Sequence, residues 1–275
     1  MSPTAPAGLA LVTGASSGIG RALARELVDH GYDLVVSAED QRIHEVAPEL
    51  GSGGRLVVPV QADLTVPREI EHLWDQATGL DRPVDVAVLN AGVGVGGPFA
   101  STELADHLRL VDLNVRSTVH LAKRVVDAMV ARRQGRILLT SSIAAVMPGP
   151  FHATYAASKA FVHSFAESIR HELQDDGVTV TSLMPGPTDT EFFARAGMLD
   201  TALGRSRSKD DAATVARAGY AALMAGKPHV VPGSWRNRMM AELGTHLPDR
   251  LAAPAMAQQT KPRRSTGSQG PEGGA

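Results

Sequence analysis

The chain of 275 residues contains no cysteine. That removes disulfides, thiolate metal sites and cysteine nucleophiles together and fits a reducing compartment, so the expected location is cytoplasmic. Neither sign of charge dominates. Lys and Arg number 27 against 29 Asp and Glu, for a formal charge of -2, and no block of one sign occurs before a short basic cluster at Lys261, Arg263 and Arg264. Nothing in that balance calls for a nucleic-acid partner. Long hydrophobic runs are absent too: no stretch approaches the roughly 20 apolar residues of a membrane helix. The opening MSPTAPAG lacks a charged start followed by an apolar segment, so neither secretion nor membrane insertion is expected. The ten histidines form no H-x-x-x-H pair and no group with carboxylates at metal spacing, which leaves no metal site to expect. The Ser141-Ser142 pair lacks a G-x-S-x-G elbow, the signature of one class of serine hydrolase.

What the chain does have is a hydrophobic content of 43%, enough for a proper core, and a recurring pattern. Short apolar runs stand at 9–14, 32–38, 55–61, 84–92, 135–142 and 178–186, with HVVPG at 229–233 as a seventh. Their apolar character is nearly continuous, which suits strands covered on both faces. Between them lie segments with helical spacing, among them Ile19, Ala22, Leu23 and Leu27, then Leu104, Leu108, Val111, Val115, Val119 and Ala122, and an Ala-rich helix near 209–225. Alternating strand and helix implies an α/β fold: a Rossmann-like, doubly wound parallel sheet flanked by helices, in a single domain over 8–251. Residues 1–7 read as a flexible N-terminus, 187–208 as a mobile segment covering the substrate, and 252–275, poor in large apolar groups, as a disordered tail.

In such a sheet the ligand crevice lies beyond the carboxyl ends of the strands. After the first run comes Thr13-Gly14-Ala15-Ser16-Ser17-Gly18-Ile19-Gly20, leading into a helix. Glycines here let main chain approach a pyrophosphate, and the helix N-terminus favours negative charge, although a tight packing turn would use the same residues. The spacing G-x-x-x-G-x-G differs from the common dinucleotide fingerprint. After the second run stand Glu39 and Asp40. An acid at this place accepts from ribose hydroxyls and repels a 2'-phosphate, so NAD is favoured; NADP stays possible because Arg42 is near, and the acids could simply serve a helix dipole. Asp63-Leu64 and Asn90-Ala91-Gly92 follow the third and fourth runs, Asp63 as an acceptor for the adenine amino group and Gly92 as a point of close approach.

The fifth run ends in Ser142, and thirteen residues later Tyr155 precedes Lys159 by four positions. On a helix that spacing puts phenol and ammonium on one face. A free phenol titrates near pH ~10, and a fixed cation lowers it toward a value useful for proton transfer. Ser142 would hold the substrate oxygen. His152, three residues before Tyr155, could touch substrate, but a histidine at a helix start is more often structural or solvated.

T-G-A-S-S-G-I-G at 13–20, N-A-G at 90–92, a serine thirteen residues before Y-A-A-S-K at 155–159, and P-G-P-T-D-T at 185–190 together resemble the short-chain dehydrogenase/reductase family, across about residues 8–232. The resemblance implies an NAD(P)-dependent oxidoreductase moving hydride between a nicotinamide and a secondary alcohol or ketone. It implies Tyr155 as general acid/base, Lys159 lowering its pKa and binding the nicotinamide ribose, and Ser142 positioning substrate. Asn114 matches the family's helix asparagine, whose main-chain carbonyl serves a proton relay. Cofactor contacts are implied at Gly14, Ser16, Ser17, Gly18, Ile19, Gly20, Glu39, Asp63, Leu64, Asn90, Ala91, Gly92, Tyr155, Lys159, Pro185, Gly186, Thr188 and Thr190. Ser17 stands where many NADP-dependent relatives carry a basic residue, and Val115-Arg116-Ser117 departs from the glycine often found after the asparagine. The implied assembly is a homodimer or homotetramer. The substrate is expected to be a small apolar alcohol or ketone, from Ala144, Val146, Met147, Pro148, Phe151, Phe192, Phe193, Met198 and Leu199, residues that core or subunit contacts would equally employ. An NADP-dependent ketoreductase and a non-catalytic dinucleotide-binding sensor are the alternatives.

Overall fold

The structure is a computed structural model describing residues 7–246 and 249–262. Seven strands form one parallel sheet in the order β3-β2-β1-β4-β5-β6-β7. They are β1 (Gly8–Thr13), β2 (Tyr32–Ala38), β3 (Val57–Gln61), β4 (Val84–Leu89), β5 (Gly135–Thr140), β6 (Val178–Leu183) and β7 (His229–Val230). Every expected strand is present within a few residues. The unbroken apolar runs have a direct cause: alternate residues of one strand enter opposite cores. Leu9 and Leu11 pack with Ile137 and Leu139 on one face, while Ala10 and Val12 pack with Leu34 and Val36 on the other. Pro59, which cannot donate to a ladder, sits on the edge strand β3.

One face is covered by α1 (Gly18–Asp29), α2 (Ile43–Gly51) and α9 (Ala212–Met224), whose Leu23, Val46 and Val215 join the second core. The other is covered by α3 (Pro67–Thr78), α5 (Ser117–Ala131) and α6 (Ala153–Glu172), through Leu73, Val125 and Val162. Helix α4 (Leu104–Val111) runs into α5 through a π-turn at Asp112–Arg116. The apolar stripe read from the sequence does lie on this helix pair, but most of it faces outward: Leu104 is 68% exposed and Leu108 54%, and Val111 and Val119 are exposed beside them, while Ala122 is buried in the core. His107, Leu110 and Asn114 face inward instead.

The segment 187–208 folds into α7 (Phe192–Arg195) and α8 (Ala202–Arg205) around a small cluster of Phe193, Ala196 and Met198. It is pinned to the strip after β4 by the Gly96 N–H, which donates to the Ala196 carbonyl at 2.9 Å. Side chains at Gly94 or Gly96 would collide with Phe192 or Met198, so the G-V-G-V-G strip is shaped to receive this cover.

The C-terminal expectation needs correction. After α10 (Trp235–His246), residues Asp249–Thr260 form α11, with Ala252, Met256 and Thr260 buried along one stripe. The segment is poor in large side chains but rich in alanine, the best helix former. It is anchored by the Thr260 hydroxyl donating to the Pro150 carbonyl at 2.7 Å. Of the remaining tail, 263–275 lies outside the described residues, as do residues 1–6 of the expected flexible N-terminus; the Ala7 N–H donates to the Gly31 carbonyl at 2.9 Å. Among the described residues no helix is long and apolar enough to cross a membrane.

Candidate active site

The strand order reverses between β1 and β4, and the cleft opens where those two strands end. Its volume is about 250 Å³. Every catalytic and cofactor residue expected from the sequence lines it except Asn114, which stands behind the wall; of the expected apolar substrate contacts, Ala144, Phe192, Phe193 and Met198 line it, and Val146, Met147, Pro148, Phe151 and Leu199 do not.

At the centre is the glycine turn. Gly14 has φ +67° and Gly18 φ +54°, a conformation natural to glycine. A Cβ at Gly20 would overlap the Gly14 carbonyl, so this residue lets helix and turn close on each other. Ser17 caps α1 without a side-chain hydrogen bond, so the first-turn N–H groups, on residues that line the cleft, have no side-chain cap. The turn is braced by Thr13 and Asn90. The Thr13 hydroxyl accepts from the N–H groups of Asn90 (3.0 Å) and Ala91 (3.1 Å), and the Asn90 amide donates to the Thr13 carbonyl at 3.1 Å. Asn90 is therefore a strut joining β1, β4 and, through the Thr140 hydroxyl at 3.1 Å, β5.

At one end stand the acids. Arg109 of α4 donates to Glu39 and, at 3.1 Å, to Asp63. Burial opposes ionisation of Asp63, but the Thr65 N–H and hydroxyl and Arg109 outweigh it and hold the carboxyl below its ordinary value. Asp40 is similarly held low against burial by Arg42, the Ser16 hydroxyl and Arg195. Arg42 also pairs with Glu191 at 2.8 Å, which ties this end to the covering segment. Arg109, Glu191 and Arg195 escaped the sequence reading, because charged residues 70 and 149 positions from their partners carry no local signal. Glu39 and Asp63 thus reach the cleft as paired anions, not as bare acceptors.

At the other end α6 delivers Tyr155 and Lys159. The Lys159 ammonium donates to the Thr140 carbonyl at 2.9 Å and lies 5.8 Å from the centre of the Tyr155 ring. Burial pushes the phenol up to about 12, an interaction with the Ser142 hydroxyl pulling it back, and pushes the ammonium down to about 8. Within the protein's own groups desolvation therefore prevails over the lowering expected from Lys159, one of whose three N–H donors is turned to a main-chain carbonyl. Ser142 accepts from the Ala144 N–H at 3.1 Å. Its neighbour Ser141 is structural, donating to the Lys159 carbonyl at 2.7 Å and so fastening α6 to β5.

Asn114 sits in the π-turn, where helical hydrogen bonding is displaced. Its side chain accepts from the Val93 N–H at 2.9 Å and donates to the Val93 carbonyl at 2.9 Å and to Ser158 at 3.0 Å. Its own carbonyl accepts from Thr118 at 2.9 Å. A Cβ at Gly92 would stand 3.1 Å from Asn114 Oδ1 and 3.2 Å from Lys159 Nζ, so glycine lets the strip pass over both. Thr190 packs on Gly18, and Thr188 donates to the Gly186 carbonyl at 2.9 Å, shaping the turn after β6. The Pro185 carbonyl accepts from the Ile143 N–H at 3.1 Å. Around Tyr155 the wall is apolar: Phe192, with ring centres 5.1 Å apart, then Phe193, Met198, Met240 and Met256. Among the described residues no cluster of His, Cys, Asp or Glu is arranged to hold a metal ion.

Comparison with known proteins agrees with this geometry. A family model described as short chain dehydrogenase matches residues 8–198. A hydroxynaphthalene reductase-like protein of Metarhizium anisopliae is 35% identical over 188 residues, covering 67% of this chain and 70% of that protein. Sulfoacetaldehyde reductase 2 of Chromohalobacter salexigens is 33% identical over 187 residues, covering 67% and 74%. Among solved structures, a short-chain dehydrogenase from Sphingobium yanoikuyae in complex with NADPH superposes with a TM-score of 0.77 at 26% identity, covering 95% of this chain and 98% of that one.

Proposed function

The chain belongs to the short-chain dehydrogenase/reductase family and is an NAD(P)-dependent oxidoreductase, and from that premise we propose that it interconverts a secondary alcohol and its ketone with Tyr155 as the general acid/base. The observation that carries this reading is the meeting of Ser142, Tyr155 and Lys159 at the apolar end of a cleft whose middle is the glycine turn. The residues present fit a dinucleotide: the open N-terminus of α1 and the clearance at Gly20 for a pyrophosphate, and the clearance at Gly92 beside Lys159 for the nicotinamide ribose. When bound, the nicotinamide supplies or accepts the hydride.

The protein's part is the proton. A phenol kept protonated by burial is a donor to a carbonyl oxygen that gains charge during reduction, and the Ser142 hydroxyl holds that oxygen in place. In the oxidative direction the phenolate is needed, and Lys159, cationic below about pH 8, is the protein's nearby charge that favours it. Asn114 acts as a positioning residue through Val93 and Ser158. The apolar wall supports an apolar substrate body.

NAD is the favoured cofactor. Four carboxylates, Glu39, Asp40, Asp63 and Glu191, face three guanidiniums, Arg42, Arg109 and Arg195, leaving one negative charge where a 2'-phosphate would lie. The NADPH carried by the Sphingobium relative favours the second reading, an NADP-dependent ketoreductase in which Arg42 and Arg109 turn to the phosphate. The outward stripe on α4 and α5, together with half-exposed Phe161 on α6, supports a homodimer or homotetramer. The test of the central reading is Tyr155→Phe. Turnover should fall roughly a hundred- to ten-thousand-fold, the range for a lost acid/base, while cofactor affinity by nicotinamide fluorescence stays nearly unchanged. Turnover close to the parent's would remove Tyr155 from the role.

A further inference from the structure

His152 is 95% buried at the start of α6 and lines the cleft beside Tyr155, with ring centres 6.0 Å apart. Its orientation is fixed from behind. Nδ1 lies 3.2 Å from the Pro150 carbonyl, and a carbonyl can only accept, so Nδ1 carries the proton and Nε2 is left with a lone pair. The same Pro150 carbonyl accepts from Thr260, so α11 steadies the group that sets the tautomer. Between Pro150 and His152, Phe151 adopts φ +63°, a strained conformation for a bulky residue, held by its carbonyl accepting from the Gly97 N–H at 2.7 Å.

Nε2 has no protein partner among the described residues. The sealed-off side-chain polar atoms without a partner there are Ser37 Oγ and Thr179 Oγ1, so Nε2 is not sealed off, and the cleft is the cavity that His152 lines. Gly149 helps to keep it clear, since a Cβ at that position would come within 2.9 Å of it. A strained turn, a fixed tautomer and an unsatisfied acceptor on an otherwise apolar wall form a built recognition point. Burial also favours the neutral ring, so Nε2 accepts and does not donate.

We infer that His152 is a specificity-determining residue whose Nε2 accepts a hydrogen bond from a hydroxyl that the substrate carries close to the carbon reacting at Tyr155. The substrates favoured are hydroxyketones, or the corresponding diols, with an apolar body. A neutral hydroxyl suits the place better than an ammonium, because the Lys159 cation already occupies the same low-dielectric end.

This inference rests on the alcohol and ketone chemistry proposed above, and its test separates the two. α-Hydroxyacetophenone and acetophenone differ by the one hydroxyl. The parent should prefer the hydroxyketone in kcat/KM by roughly tenfold or more, the size of one hydrogen bond that leaves no buried acceptor unpaired. In His152→Leu the preference should collapse toward parity, and in His152→Gln, whose amide oxygen can replace Nε2, it should partly return. Equal losses on both ketones would make His152 structural and overturn the inference, as would a preference that survives in the leucine variant. Calorimetric titration of the two ketones into cofactor-loaded Tyr155→Phe, and into the Tyr155→Phe/His152→Leu double variant, reads the contact without turnover. A hydroxyl-dependent affinity gap in the first that is lost in the second supports His152 even if Tyr155 proves not to be the acid. No gap in the first sinks the inference whatever the kinetics show.

Discussion

Lys159 makes a quantitative prediction about stability. The residue is 5% exposed, and burial takes its pKa from the ordinary 10.5 to about 8. Below pH 8 both folded and unfolded chains hold the proton, and folding must desolvate a cation. The difference corresponds to about 3 kcal/mol of stability withheld at pH 7. As the pH rises past 8 the folded protein releases the proton while the unfolded chain keeps it, so the cost shrinks, to about 1 kcal/mol near pH 10, and vanishes above 10.5. Lys159→Met removes the titration and keeps most of the volume. The comparison at a single pH also contains the lost hydrogen bond to the Thr140 carbonyl, whereas the change with pH is free of it. Tyr155, pushed up to about 12, titrates above this window in the folded state of both proteins. Urea unfolding of parent and variant at pH 7 and pH 10, at one protein concentration, should show the parent gaining about 2 kcal/mol relative to the variant across that interval. A difference that stays flat, or moves the other way, would mean that Lys159 titrates as an exposed lysine and would refute the desolvation argument.

Glu39→Arg should turn the cofactor preference toward NADPH by roughly tenfold or more, since it replaces an acid with a base and frees Arg109 from one of its two partners; fluorescence titration of both reduced cofactors measures it, and a parent that already binds NADPH more tightly than NADH would contradict the NAD reading. Leu108→Glu places a charge in the exposed stripe of α4 and should lower the molar mass seen by light scattering to that of a monomer, while an unchanged mass would take this face out of the assembly.

Much of the fold was legible because its cause is local. An apolar run of five to seven residues bounded by Gly, Asp or Asn has few uses in a soluble chain other than a buried parallel strand, and β2 falls on its expected bounds, Tyr32–Ala38. The glycine turn was legible for the same reason. What could not be read has tertiary causes. The stripe from Leu104 to Val119 announced a helix, but not which face would be inside. Inward-facing His107 is accepted because its two ring nitrogens meet Thr102 at 2.6 Å and Thr154 at 2.9 Å, and Asn114 because it binds Val93. Helix α11 has little to mark it beyond alanines; it exists because Thr260 and Met256 find a surface made by residues far earlier in the chain. The ion pairs around Glu39 and Asp40 likewise join segments that meet only in the folded protein. His152 was visible as a letter near Tyr155, yet its tautomer depends on a carbonyl bent into place by Phe151.

The docking of α11 on Pro150 divides the cleft by order of synthesis. The glycine turn, the strut at Asn90 and the Tyr155 helix are all made within the first 198 residues, the span shared with the family. Met256 and Gln259, which finish the far wall, arrive only with the twelve-residue helix that ends at Thr260. A ribosome therefore finishes the glycine turn, Tyr155 and most of the apolar wall around it, Phe192, Phe193 and Met198 included, before it makes the last pieces of that wall. The last part of the wall around Tyr155 thus depends on a helix encoded beyond the span that the family model matches.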